Sequence, residues 1–388
     1  MLRANKLASR STIRWGLLCM GMALFSTRCG APAGLQAADI SPAQNPEREI
    51  VEVWLAPDYP QALCNDGTPA VYYFRPGIGD NADNWIIYLE GGGSCPSVEA
   101  CRQRQEQYPE RMSSENAQPS FYGITHHNPD LNPDFFDFNH VYVWYCSSDL
   151  WSGTNDASEA TGGYYFKGKA IVEAVILSLL DGSATGGKSL RTAENVLLAG
   201  SSAGSAGVQH NLDFVGQLLP ATVNLKGLAD SLWPIANLHE YDLGIEPEPP
   251  ELIEEVFALW HPLHDASCVQ GRGQFQSCYG ENLLPFLDHD VFVFIDQSDP
   301  VVMRLDRLTE QQLRLYKQLV RRSVRYVPAA ASADQGIHGS ISRFPFFELT
   351  FEGVRYRDVI ANWFFDREGP KKVIVNDDEH RLLPLLTR

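Results

Sequence analysis

The pentapeptide Gly200-Ser201-Ser202-Ala203-Gly204 lies between the apolar run Val196-Leu197-Leu198-Ala199 and a segment able to form a helix from near Ser205. A Gly-x-Ser-x-Gly stretch in that setting makes a sharp strand-to-helix corner. Small neighbours permit a strained backbone at the central serine, and its hydroxyl then stands exposed above the sheet edge. The pattern points to acyl transfer.

The rest of the 388-residue chain supplies a sheet for that corner to belong to. Short β-rich runs at Ile50–Leu55, Ala70–Phe74, Trp85–Leu89 and His140–Tyr145 are each bounded by Gly, Pro, Asn or Asp. The runs at 85–89 and 196–199 are apolar almost throughout, as central strands covered on both faces must be. Further strands are expected at Val223–Leu228 and Val291–Ile295. Helical spacing marks Phe166–Leu180, which stops at Asp181-Gly182, and Leu308–Val327, where Thr309 can cap; residues 357–365 should form the last helix. Strands alternating with helices argue for an α/β architecture around a largely parallel sheet. The Pro- and Glu-rich stretch 233–287 shows no sheet pattern and reads either as a cap over the active site or as a packed surface excursion.

Arg3, Lys6, Arg10 and Arg14 precede the apolar run Trp15–Phe25, and the small residues Ala31-Pro32-Ala33 offer a cleavage site before Gly34. Residues 1–33 therefore read as an export signal, shorter than a spanning helix needs, and 34–48 as a loose leader to one domain over 49–388. Cys29 leaves lipoprotein processing as an alternative, which Arg28 directly before it fits poorly. Removing 1–33 leaves 26 basic against 48 acidic residues, a net charge of −22. So acidic a surface argues against a nucleic-acid partner. Six cysteines remain, and an even number in an exported chain predicts disulfides. Close spacing suggests Cys95–Cys101 and Cys268–Cys278, which would leave Cys64 for Cys146, although 15 connectivities are formally open. No Cys-x-x-Cys pair supports zinc, and no metal site is expected.

A serine hydroxyl needs a neutral histidine to take its proton and an acid to hold that histidine's tautomer. Downstream of Ser202, the acids at strand carboxyl ends are Asp230 and Asp296, with Asp299 three residues further on. Asp296 is the expected acid because it ends the later strand. His338 is the expected base, lying in the glycine-flanked loop Gln335-Gly336-Ile337-His338-Gly339, whereas His380 sits in a charged tail. The run Glu90-Gly91-Gly92-Gly93-Ser94 follows a strand, so the amides of Gly92 and Gly93, with that of Ala203, can form an oxyanion hole. The pair His126-His127 carries metal-ligand types, but adjacent side chains should point apart.

Four stretches stand in order: Tyr88-Leu89-Glu90-Gly91-Gly92-Gly93-Ser94-Cys95, Tyr145-Cys146-Ser147-Ser148-Asp149-Leu150-Trp151-Ser152-Gly153, Leu198–Gly204 and Gly227-Leu228-Ala229-Asp230-Ser231. In these the chain resembles the pectin acetylesterase and Notum family, over roughly residues 60–365, and is closer to Notum in its motifs. The resemblance implies a secreted, disulfide-bonded α/β-hydrolase fold that needs no cofactor and acts on an acylated polysaccharide, lipid or protein. It carries the nucleophile onto Ser202, the acid onto Asp296, the histidine onto His338 and the oxyanion amides onto Gly92, Gly93 and Ala203. The chain departs from relatives in having Gly93-Ser94 where a bulky aromatic is common, and in lacking a cysteine near His338. A serine carboxylesterase is the expected function. A serine peptidase, or a non-catalytic carbohydrate- or lipid-binding module on the same fold, is the alternative.

Overall fold

The apolar runs become strands because each is too short and too continuously hydrophobic to do anything but cross a core. The computed structural model describes residues 48–376, apart from 247–248, 274–277, 303–304 and 352. Eleven strands are seen there: β1 Val51–Trp54, β2 Val71–Arg75, β3 Trp85–Leu89, β4 Asn139–Val143, β5 Asn195–Ser201, β6 Asn224–Asp230, β7 Val291–Asp296, β8 Ala329–Ala333, β9 Thr350–Phe351, β10 Val354–Arg355 and β11 Lys372–Ile374. Nine of them form one sheet in the order β1-β2-β4-β3-β5-β6-β7-β8-β11. The β1–β2 and β2–β4 pairs are antiparallel and the rest parallel. The predicted α/β-hydrolase architecture, with its mostly parallel sheet, is what forms.

The helices are α1 Val98–Gln107, α2 Gly168–Asp181, α3 Ala203–Leu218, α4 Pro250–Trp260, α5 Ala266–Arg272, α6 Glu310–Arg325, α7 Pro345–Glu348 and α8 Tyr356–Phe364. They cover both faces of the sheet. Adjacent residues of a strand point to opposite sides, and on β6 Lys226 reaches the Trp363 and Phe364 carbonyls of α8 while Gly227 lies under Leu212 and Val208 of α3. Thr309 caps α6 through a reciprocal bond with Gln312, as its sequence position suggested.

The three disulfides are Cys64–Cys146, Cys95–Cys101 and Cys268–Cys278, the pairing that the spacings suggested. The proposed export signal and nearly all of the leader lie outside the described residues. Arg48, assigned to the leader, is instead held by the carbonyls of Pro76, Phe136 and Phe138. Among the described residues no helix is long and apolar enough to cross a membrane. The stretch 233–287 contains α4 and α5 and enters between β6 and β7, so three more strands of the large sheet, β7, β8 and β11, follow it.

Candidate active site

The carboxyl ends of β3, β5, β6, β7 and β8 share one edge of the sheet, where ligands of open α/β folds bind. Each predicted site residue lies at that edge. Ser202 follows β5 directly and heads α3 with φ 58° and ψ −119°, a conformation that costs a non-glycine residue of order 1–3 kcal/mol. The surroundings over-determine it. Its N–H donates to the Asp230 carbonyl (2.8 Å), and a Cβ on Gly204 would run into the Leu89 carbonyl oxygen, so α3 packs against β3 only because that position is glycine.

The glycine turn after β3 lies against this corner, because an added Cβ on Gly91 would meet the Ser201 carbonyl and the Ser202 Cβ. Gly92 and Gly93 have φ 151° and 73°. Among the described residues their N–H groups have no hydrogen-bond partner, and the N–H of Ala203, first in α3, has no carbonyl within its own helix to bond. Three donors are thus left beside Ser202 at a helix N-terminus, where negative charge is favoured.

The turn is held from behind. Arg111 pairs with buried Glu90 at 2.7 Å and also donates to the Gly91 carbonyl (3.2 Å), while Glu90 accepts the Tyr145 N–H (3.0 Å). Burial pushes the Glu90 carboxyl up, and the Arg111 cation opposes that. Residues 148–151 back the turn with three left-handed non-glycine residues, Ser148, Leu150 and Trp151, and the Trp151 indole donates to the Glu90 carbonyl (3.1 Å). Asp149 holds this strained loop by accepting from Ser147 Oγ and from the Trp151 and Gly168 amides. From the other side, the Trp260 indole at the end of α4 donates to the Cys95 carbonyl (2.9 Å), so the 233–287 insertion is docked two residues from Gly93.

His338 lies in the loop after β8, its side chain 15% exposed. The carboxylate bonded to its Nδ1 is that of Asp299 (2.7 Å, fully buried), not that of Asp296. This corrects the expectation that the acid ends β7. The Asp296 carboxylate accepts the backbone amides of Ser298 (2.8 Å), Gln335 (3.0 Å) and Gly336 (3.1 Å) instead, which closes the turn after β7 and directs Asp299 toward the histidine. The sequence held one signal for this, a second aspartate three residues on and directly before Pro300. Asp230, also an expected candidate, bonds to serines and a backbone amide.

His126 and His127 do not point apart: their rings stack at 5.2 Å. Among the described residues no three His, Cys, Asp or Glu side chains come together as metal ligands would.

The sequence pattern of the pectinacetylesterase family matches residues 44–312. The chain is 32% identical over 337 residues to the palmitoleoyl-protein carboxylesterase notum1' of Xenopus laevis, a match covering 80% of this chain and 66% of that one. It is 32% identical over 327 residues to the palmitoleoyl-protein carboxylesterase NOTUM of Homo sapiens, covering 77% and 63%. The Drosophila melanogaster NOTUM is 29% identical over 327 residues, covering 77% and 46%. The chain therefore spans 66% or less of the length of these three relatives.

Proposed function

The chain belongs to the pectinacetylesterase family, and from that premise we propose that it is an exported serine carboxylesterase acting through an acyl-enzyme on Ser202. One observation carries the reading. His338, bonded to buried Asp299, shares a sheet edge with a serine held in left-handed backbone beside unpaired glycine amides. The three disulfides suit an oxidising compartment and so support export.

In the first half-reaction Ser202 Oγ attacks the ester carbonyl carbon while His338 Nε2 takes the hydroxyl proton. Asp299 holds Nδ1 protonated and turns Nε2 toward the serine. The carbonyl oxygen becomes an oxyanion received by the amides of Gly92, Gly93 and Ala203, each such donor contributing of order 3 kcal/mol. The tetrahedral species collapses, and His338 returns its proton to the departing alkoxide, which leaves as an alcohol. Water then enters, gives a proton to His338 and attacks the acyl carbon, and as the second tetrahedral species collapses His338 returns that proton to Ser202 Oγ, which leaves as the free hydroxyl while the acid departs. The scheme uses no cofactor.

The family's names carry acetyl on pectin and palmitoleoyl on protein as the two ends of the acyl range. Purified protein should hydrolyse p-nitrophenyl acetate or butyrate, and Ser202→Ala should lose at least about 10⁴ in kcat. Equal rates in the two proteins would sink the proposal. The ratio of kcat/KM on acetate and octanoate esters then assigns chain length.

A further inference from the structure

His338 sits in a loop, and a loop is a poor device for holding a base within hydrogen-bond reach of a nucleophile on a helix. Its neighbours on both sides are nevertheless tied down. Before it, Gln335 and Gly336 donate to Asp296. After it, three consecutive residues are held by the dipeptide at the end of β6. Gly339 N–H donates to Ser231 Oγ (2.8 Å), while Ser340 Oγ (2.7 Å) and Ile341 N–H (3.1 Å) donate to the Asp230 carboxylate. The same carboxylate accepts Ser201 Oγ (2.5 Å), and the Asp230 carbonyl accepts the Ser202 amide.

We infer that Asp230 is a positioning residue, a carboxylate clamp that fixes the loop following His338 to the corner that carries Ser202. The inference rests on the esterase reading. The acceptor count supports it. A carboxylate has about four lone-pair sites, and here Oδ1 takes the Ser231 and Ser340 hydroxyls while Oδ2 takes the Ser201 hydroxyl and the Ile341 amide. With all four sites used, nothing remains for an imidazole, so Asp230 cannot also orient the base. The group is fully buried, and burial pushes its pKa up against those four donors. Removing a charge from water is costly even when hydrogen bonds compensate it. An apolar residue would fill the space at less cost, but could not join the two segments.

Asparagine at this site keeps the shape but turns one oxygen into an N–H₂ group facing two donors. Asp230→Asn should therefore lower kcat by about 100-fold with KM within about twofold, the signature of misplaced rather than missing catalytic groups. Phosphonylation of Ser202 by a fluorophosphonate should slow in parallel. Ser340→Ala removes one strand of the clamp and should lower kcat by about tenfold. Thermal midpoints and far-UV circular dichroism establish that each variant is folded, since a merely structural role shifts the midpoint and leaves kcat and labelling alone. Folded Asp230→Asn with kcat and labelling within about twofold of wild type overturns the clamp. If that variant does not fold, Ser340→Ala decides by the same measure. An inactive wild type sinks the esterase reading itself, whereas an active wild type with unaffected variants sinks only the clamp.

Discussion

Ser202 at φ 58°, Asp299 against His338 and the glycine turn at 91–93 are each held in place by groups that do no chemistry themselves. This reverses the order in which the sequence placed two aspartates, Asp296 ahead of Asp299. Asp299→Asn should lower kcat by about 10⁴-fold, because an amide at Nδ1 stabilises the wrong tautomer. Asp296→Asn disturbs only backbone contacts and should cost far less. Steady-state kinetics of both variants on p-nitrophenyl butyrate checks the order, and a larger loss at Asp296 would restore it as the acid. The placement of Ser202 and His338 at one sheet edge was legible in the sequence because a corner motif and a glycine-flanked loop surround them. The acid was not: Asp296-Gln297-Ser298-Asp299 offers two carboxylates, and the choice depends on how the turn after β7 folds.

Among the elements, apolar strands were plain and alanine ones were not. β8 reads Ala-Ala-Ala-Ser-Ala, residues that favour helices in isolation. It becomes a strand in parallel register with β7, where it is fully buried. The insertion gave no strand pattern because its described residues include α4 and α5, and its docking rests on contacts distant in sequence. The chief one is the Trp260 indole on the Cys95 carbonyl, next to the first turn of α1 and its disulfide. Trp260→Phe keeps the ring in its buried cluster but removes that bond, at a cost of about 1–3 kcal/mol if the carbonyl is left unsatisfied. A lowered thermal midpoint is expected, and an unchanged one would mean that the carbonyl finds another partner.

For the molecule as a whole, the fold class was legible because strand and helix signals alternate through most of residues 49–365, while the strand order was not, since pairing is set in space. One property belongs only to the assembled protein. His210 of α3 and His264 of the insertion meet at 3.2 Å between their Nδ1 atoms, packed on Tyr279. Burial first, and then the Lys169 charge, lowers His264 to about 4. Burial, with His264 and Lys169, holds His210 well below its ordinary value. Both rings are therefore neutral in the folded chain and protonate readily when it unfolds. Their contribution to stability is present above the unfolded pKa near 6.5 and is lost as pH falls toward the folded values. Thermal midpoints of wild type should decline between pH 6.5 and 4 more steeply than those of His264→Gln, and parallel curves would refute the linkage.

The proposed scheme carries the acyl group through a covalent bond to Ser202. Acid-quenching the protein during turnover of p-nitrophenyl butyrate and mapping the adduct by peptide mass spectrometry tests it directly. One butyryl group per chain on the peptide containing Ser202, absent in Ser202→Ala, is the predicted result. Turnover in wild type with no adduct, or an adduct on another residue, would contradict it.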